Sequence, residues 1–244
     1  MLFFSGTTVS MFGENLNSIA LMLYVYSFSG SAFDVGFYML FSTLPKIFIM
    51  PFAGILTDRF SKKKLVIAAE IGKAILVTFL PFCKNVSQIY LLVFLMSAFS
   101  AFAFPARQAF YPQLIEKQDL MPANSLLSMV SSVVTLIGFA AGGAIVGFFS
   151  AKYAFLLYSF TLLLSALSIT LIKGNYVKND KEAKISLREI IDKMKQGLLY
   201  CKKNTVLKFA VTFIFIICLL SSMVDPMIVS YTKESLHASE VSVL

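Results

Sequence analysis

Histidine occurs once in this 244-residue chain, at His237, cysteine three times, and charged side chains fill 14% of the positions. Each scarcity excludes something. Cys83, Cys201 and Cys218 stand far apart, with no ligand spacing and no partner histidine, so they read as inert membrane or loop residues, and neither a metal nor a cofactor is expected. There is no His/Cys cluster, no paired catalytic carboxylates and no nucleophile motif, so an enzyme is not expected. A charge content this low argues against a water-soluble fold, in which about a quarter of residues are charged.

Apolar residues take the vacated share: 58% of the chain is hydrophobic and the mean hydropathy is +0.80. Seven mostly apolar stretches recur, at 3–28, 34–57, 65–83, 88–108, 124–149, 153–172 and 207–232. At about 1.5 Å rise per residue, each is long enough to cross a hydrocarbon core of about 30 Å. Barrel strands would be short and alternate in polarity, whereas runs such as 153–172 and 209–224 are apolar on every face. The expected fold class is therefore an all-α polytopic membrane protein. Ser29-Gly30-Ser31, Asp58 to Lys64 and Pro112 to Asn124 supply the turn residues between spans. Met1 to Phe4 runs into the first apolar stretch without a basic region or a small-residue cleavage site, so that stretch is expected to be a structural helix and not a removable signal.

Gly174 to Asn204 is the one long hydrophilic segment, which divides the chain into six spans (1–172), a linker (173–206) and a seventh span with the start of a C-terminal half (207–244). Within the linker, Ser186-Leu187-Arg188-Glu189 forms a capping box. Leu187, Ile190, Ile191, Met194 and Leu198 come after it at helical spacing, as in an amphipathic helix at the membrane surface. The net charge of +8 is concentrated on one membrane face. With a cytoplasmic N-terminus, the inner loops hold Arg59, Lys62, Lys63, Lys64, Arg107, Lys117 and the basic residues from Lys173 to Lys208, and the outer connections hold Lys84, Lys152 and Lys233. The positive-inside rule selects that orientation. No aromatic-plus-basic groove accompanies the charge, so lipid and not nucleic acid is the expected partner.

Two loops carry a resemblance. Pro51-Phe52-Ala53-Gly54-Ile55-Leu56-Thr57-Asp58-Arg59-Phe60-Ser61-Lys62-Lys63-Lys64 resembles the signature loop between helices two and three of the major facilitator superfamily. Pro105-Ala106-Arg107-Gln108-Ala109-Phe110-Tyr111-Pro112-Gln113-Leu114-Ile115, with Asn124-Ser125-Leu126, is similar to the loop between helices four and five in its drug-exporting branch, which includes macrolide-efflux and enterobactin-export proteins. Gly138, Gly142, Gly143 and Gly147 resemble the glycine-rich antiporter motif of helix five, with Phe139 in place of its usual proline. The resemblance implies a secondary transporter of the bacterial cytoplasmic membrane that exports a small amphipathic compound, a drug or a siderophore, against inward proton flow. It also implies twelve helices, of which this chain carries the first half and helix seven, so the chain alone is expected not to transport without the C-terminal half. Gly54, Asp58, Arg59, Lys62, Lys63 and Arg107 are implied as the cytoplasmic gating motif, with Asp58 and Arg107 close enough to pair. The helix-four arginine of many relatives aligns with Met96. An uptake permease of the same fold remains an alternative, as does a non-transporting membrane subunit or membrane enzyme.

Ionisable groups inside spans are costly and mark candidate sites: Glu14, Lys46, Glu70, Lys73 and Asp225. Glu70 and Lys73, three residues apart, are expected to pair near the cytoplasmic end in a structural role. Asp225 precedes Pro226 and either satisfies backbone freed by a kink or serves substrate or proton. Glu14 and Lys46 each fall halfway along a span, so they either neutralise each other or form a proton or cation site.

Overall fold

The computed structural model describes residues 2–172, 199–200, 203–217 and 220; within that range the side chains of Leu2, Pro51, Ile55, Leu56, Asp58 and Arg59 are not described. The linker helix expected at 187–198, Cys201, Cys218, Asp225 and His237 lie outside the described residues. Helices dominate: α1 Leu2–Ser29, α2 Ala32–Arg59, α3 Lys62–Phe79, α4 Val86–Phe110, α5 Leu120–Phe148, α6 Ala151–Thr170, and a shorter apolar helix, α7, Thr205–Ile217. No strand occurs among the described residues. The chain is an all-α polytopic membrane protein.

Five helices, α2 to α6, are long and apolar enough to cross a membrane. α1 matches α2 in length at 28 residues but is not among the five. Its apolar content is diluted by Thr7, Thr8, Ser10, Glu14, Asn15 and Asn17. The dilution is tolerated because α1 faces protein, with Ser10 0% and Asn17 5% exposed.

Neighbouring helices define an open ring. α1 packs against α5 and α6, α6 against α3, α3 against α4, and α4 against α2, while α2 and α5 make at most marginal contact. In order round the ring the helices run α5, α1, α6, α3, α4, α2, with the gap between α5 and α2. A large apolar core that includes Leu16, Leu23, Ile89, Phe155 and Leu162 fills the centre. A second core lies at the end that carries the basic loops. There Phe3, Val66, Phe110, Tyr111 and Ile169 meet, and Phe3 and Phe110 stack edge to face at 5.6 Å.

The sequence closes its helix ends with local chemistry. Gly30 takes a positive φ of 68°, and its N–H donates to Tyr26 O at 2.8 Å, which ends α1 in the left-handed conformation glycine adopts without strain. Ser31 Oγ accepts from Phe33 N at 3.2 Å to start α2. At the opposite face Lys63, in the first turn of α3, donates through Nζ to the carbonyls of Thr170 and Ile172, both at 2.8 Å. A basic residue of the signature loop thereby supplies the C-terminal cap of α6.

Glycines set the distance between α1 and α5. A Cβ on Gly142 would stand 2.6 Å from Leu16 O, and one on Gly138 would stand 2.8 Å from Asn15 Cβ. Gly143 is buried with them. Two other motif glycines take no part in this seam. Gly54 has open space where its Cβ would lie, so it admits no close neighbour among the described residues, and Gly147 is exposed beyond the α1 seam. Replacing Gly142 by Ala should lower the stability of the full-length protein by about 1–3 kcal/mol, because backbone and not a flexible side chain blocks the added methyl. Gly147→Ala should leave it unchanged or slightly raised. Thermal unfolding in detergent reads both, and equal midpoints for Gly142→Ala and the parent would refute the seam.

Candidate functional site

One stripe of α1 lines two adjoining cavities. Phe3, Thr7, Met11 and Glu14 border a cavity of about 370 Å³ toward the basic face, together with Phe104, Arg107 and Gln108 of α4 and Asn124, Ser128 and Ser131 of α5. Glu14, Asn17, Ser18 and Leu21 border a second cavity of about 150 Å³, with Tyr38, Ser42 and Lys46 of α2, Lys73 of α3, Met96 and Ser97 of α4 and Tyr158 of α6. The steps of three and four residues along α1 and α4 keep each lining on one helix face. Glu14 is the single residue common to both, near the midpoint of α1, and it is exposed because the cavities open on it.

The charges around Glu14 are partitioned among specific partners. Arg107 forms an ion pair with Glu70, the one ion pair within 4.0 Å among the described residues. Ser10 Oγ donates to Glu70 Oε1 at 3.2 Å and accepts from Arg107 Nη2 at 3.1 Å, so α1, α3 and α4 meet in one polar cluster. Glu70 is fully buried, and Arg107 retains 17% side-chain exposure. Lys73, 2% exposed, and Tyr158 of α6 border the second cavity together. Lys46 and Lys73 border the second cavity and Arg107 the first, so all three cations share a cavity with Glu14.

Glu70 and Lys73 therefore do not pair with each other. α3 begins at Lys62 and, with the 3₁₀ turn Leu80–Phe82, ends at Phe82, so residues 70–73 stand at its middle and turn to different neighbours. Lys73 joins the second cavity as a lining residue and does not lie near the cytoplasmic end as the sequence suggested. Lys46 and Glu14 share a cavity, but no ion pair within 4.0 Å joins them. Arg107 meets Glu70; the side chains of Asp58 and Arg59 lie outside the described residues, as does Asp225. Lys62 is half-buried at the start of α3. Met96, 7% exposed, gives the second cavity an apolar surface at the position of the helix-four arginine. Tyr158 and Ser10 were missed in the sequence, since a single hydroxyl in an apolar span carries no signal until a charged partner is placed beside it. No group of three or more potential metal ligands occurs among the described residues.

The Arg107–Glu70 pair makes a stability prediction. Arg107→Met leaves a buried carboxylate without its counter-charge and should destabilise the full-length protein by about 3–5 kcal/mol, whereas the double variant Glu70→Met/Arg107→Met should recover most of that loss. Thermal unfolding of the single and double variants decides it. Additive losses would show that the pair is not coupled.

Comparison with known proteins agrees with this architecture. The chain is 25% identical over 208 residues to the uncharacterized MFS-type transporter YfiS of Bacillus subtilis, covering 85% of this chain and 50% of that protein. It is 29% identical over 166 residues to the putative bacilysin exporter BacE of Bacillus subtilis, covering 67% and 41%. With the multi-drug resistance efflux pump PmrA of Streptococcus pneumoniae the identity is 29% over 169 residues, covering 69% and 42%. The chain thus spans about half the length of the curated relatives it matches. The sequence profile of the Major Facilitator Superfamily matches residues 3–244, and with a membrane-embedded open ring of helices lining paired cavities, the chain belongs to that family of transporters.

Proposed function

We propose that the chain builds one wall of a proton-coupled exporter of a small amphipathic compound, with Glu14 as the group that binds and releases the proton. The observation that carries this reading is the placement of Glu14 at the junction of two cavities, one on the side of the basic loops and one beyond it. In alternating access, a carboxylate at such a junction meets water or cargo from either side. Lys46 of α2, Lys73 of α3, Arg107 of α4 and Tyr158 of α6 surround it, and none is in ion-pair contact with it among the described residues. Export as the direction is supported by the relatives described as an efflux pump and a putative exporter. The basic residues at the α2–α3 and α4–α5 connections favour a cytoplasmic N-terminus in the bacterial cytoplasmic membrane. The domain division at 172 and 206, closure of the cytoplasmic side by Asp58, Arg59 and Arg107, and a substrate or proton role for Asp225 belong to the same proposal. The opposing wall would come from a C-terminal half.

Glu14→Gln in the full-length protein should fold and insert as the parent does but lose export driven by a pH gradient, because a neutral amide mimics the protonated carboxyl and cannot release a proton. Transport of a fluorescent amphipathic dye in proteoliposomes, with an imposed gradient of about one pH unit in either sense, roughly a tenfold proton ratio, measures both coupling and direction. Undiminished gradient-driven export by Glu14→Gln would remove Glu14 from the coupling step, and uptake with the gradient would identify a permease.

A further inference from the structure

The smaller cavity holds more positive than negative side chains. Among the described residues, Lys46 and Lys73 line it with Glu14 as the only carboxylate. Lys73 is buried, 2% exposed, and shares the wall with Tyr158 of α6. Arg107 is committed to Glu70 outside this cavity. Lys46 is neither. It is half-exposed on the cavity wall and has no ion pair among the described residues. One carboxylate cannot neutralise two ammonium groups, and an uncompensated charge at mid-membrane depth is expensive enough to call for a partner.

We propose that the partner is the cargo: Lys46 is the recognition point for an anionic group, and the transported compound is an amphipathic carboxylate. The proposal rests on the reading of this cavity as the transport site. A space of about 150 Å³ suits a headgroup and not a whole amphipath. Tyr38 and Ser18 add hydroxyl groups to the wall, and Leu21, Val93 and Met96 make its remainder apolar. Past Glu14, the cavity of about 370 Å³ offers Met11, Phe104 and Leu127 to an apolar tail. A cationic cargo would instead place a third positive charge beside two lysines and compete for a single carboxylate.

The test uses three probes that differ in headgroup alone, 4-phenylbutyrate, 4-phenylbutylamine and 4-phenylbutanol, with binding to the full-length protein in nanodiscs measured by calorimetry at neutral pH. The carboxylate should bind about tenfold tighter than the amine and the alcohol, the size of one charge-assisted contact. Lys46→Met should bring the three within about twofold of one another, and Lys46→Arg should keep the preference. The proposal is overturned if the amine binds as tightly as the carboxylate, if none of the three binds, or if the preference survives Lys46→Met while that variant loses thermal stability, which would make Lys46 a structural ion-pair partner. The coupling reading fails separately. If Glu14→Gln still exports across a pH gradient while the carboxylate preference holds, recognition by Lys46 stands and the proton role of Glu14 falls.

Discussion

A glutamate with no exposed surface sits between three helices, and its ion pair with Arg107 determines how the other charges in the bundle are disposed. Glu70 comes from α3, Arg107 from α4, and Ser10 of α1 bridges them through one hydroxyl. A carboxylate this deep in a membrane protein is retained only with a counter-charge and hydrogen bonds, so the three helices are held in one register. The same pair engages Arg107, which also borders a cavity with Glu14. Glu14 is thereby left beside positive charges without an ion pair within 4.0 Å among the described residues.

That arrangement depends on α1 presenting three different faces. Gly6 and Gly13 let α6 approach closely, since a Cβ on Gly6 would stand 2.9 Å from Ser168 Cβ and one on Gly13 would stand 2.8 Å from Tyr158 Cδ2. Gly138 and Gly142 perform the same service from α5, and Asn15 Nδ2 adds a 3.4 Å hydrogen bond to Thr135 Oγ1. Helices in lipid associate through packing and polar contacts and not through a hydrophobic drive, so small residues at close spacing are the economical way to secure a helix as polar as α1. With two faces closed in this manner, the third is left to the cavities.

Most of the fold was legible because the bilayer imposes a length and a polarity that a sequence cannot disguise. The six spans fall within a few residues of α1 to α6, and the breaks at Gly30 and at Asp58 to Lys64 are where the chain turns. Glu14 and Lys46 stand near the middle of α1 and α2, a depth that counting from the span ends already gives. Their partners were not legible, because helix rotation about its axis is set by neighbours and an apolar-all-round span gives little rotational signal. Glu70 and Lys73 illustrate the failure. Spacing of three residues permits a pair, but the pair forms only if neither finds a better partner across a helix seam, and Arg107 is such a partner for Glu70. Gly54 shows the converse, a glycine in a recognisable motif with open space where a side chain would be.

The gap between α5 and α2 gives these charges their consequence. α5 turns Asn124, Ser128 and Ser131 toward the larger cavity, while Met129, Val133 and Leu136 are exposed at 70%, 47% and 73% along another stripe. On α2, Lys46 and Ser42 face the smaller cavity while Ile47 and Phe48 are exposed at 65% and 64%. Apolar stripes of this kind are at no disadvantage against lipid tails, whereas Glu14 and Lys46 would be strongly disfavoured there. The mouth of the ring must therefore open onto water or protein and not onto lipid, although the helices on either side of it are lipid-compatible. Behind that mouth the polar lining of the two cavities runs along α1 and α4, with Glu14 common to both.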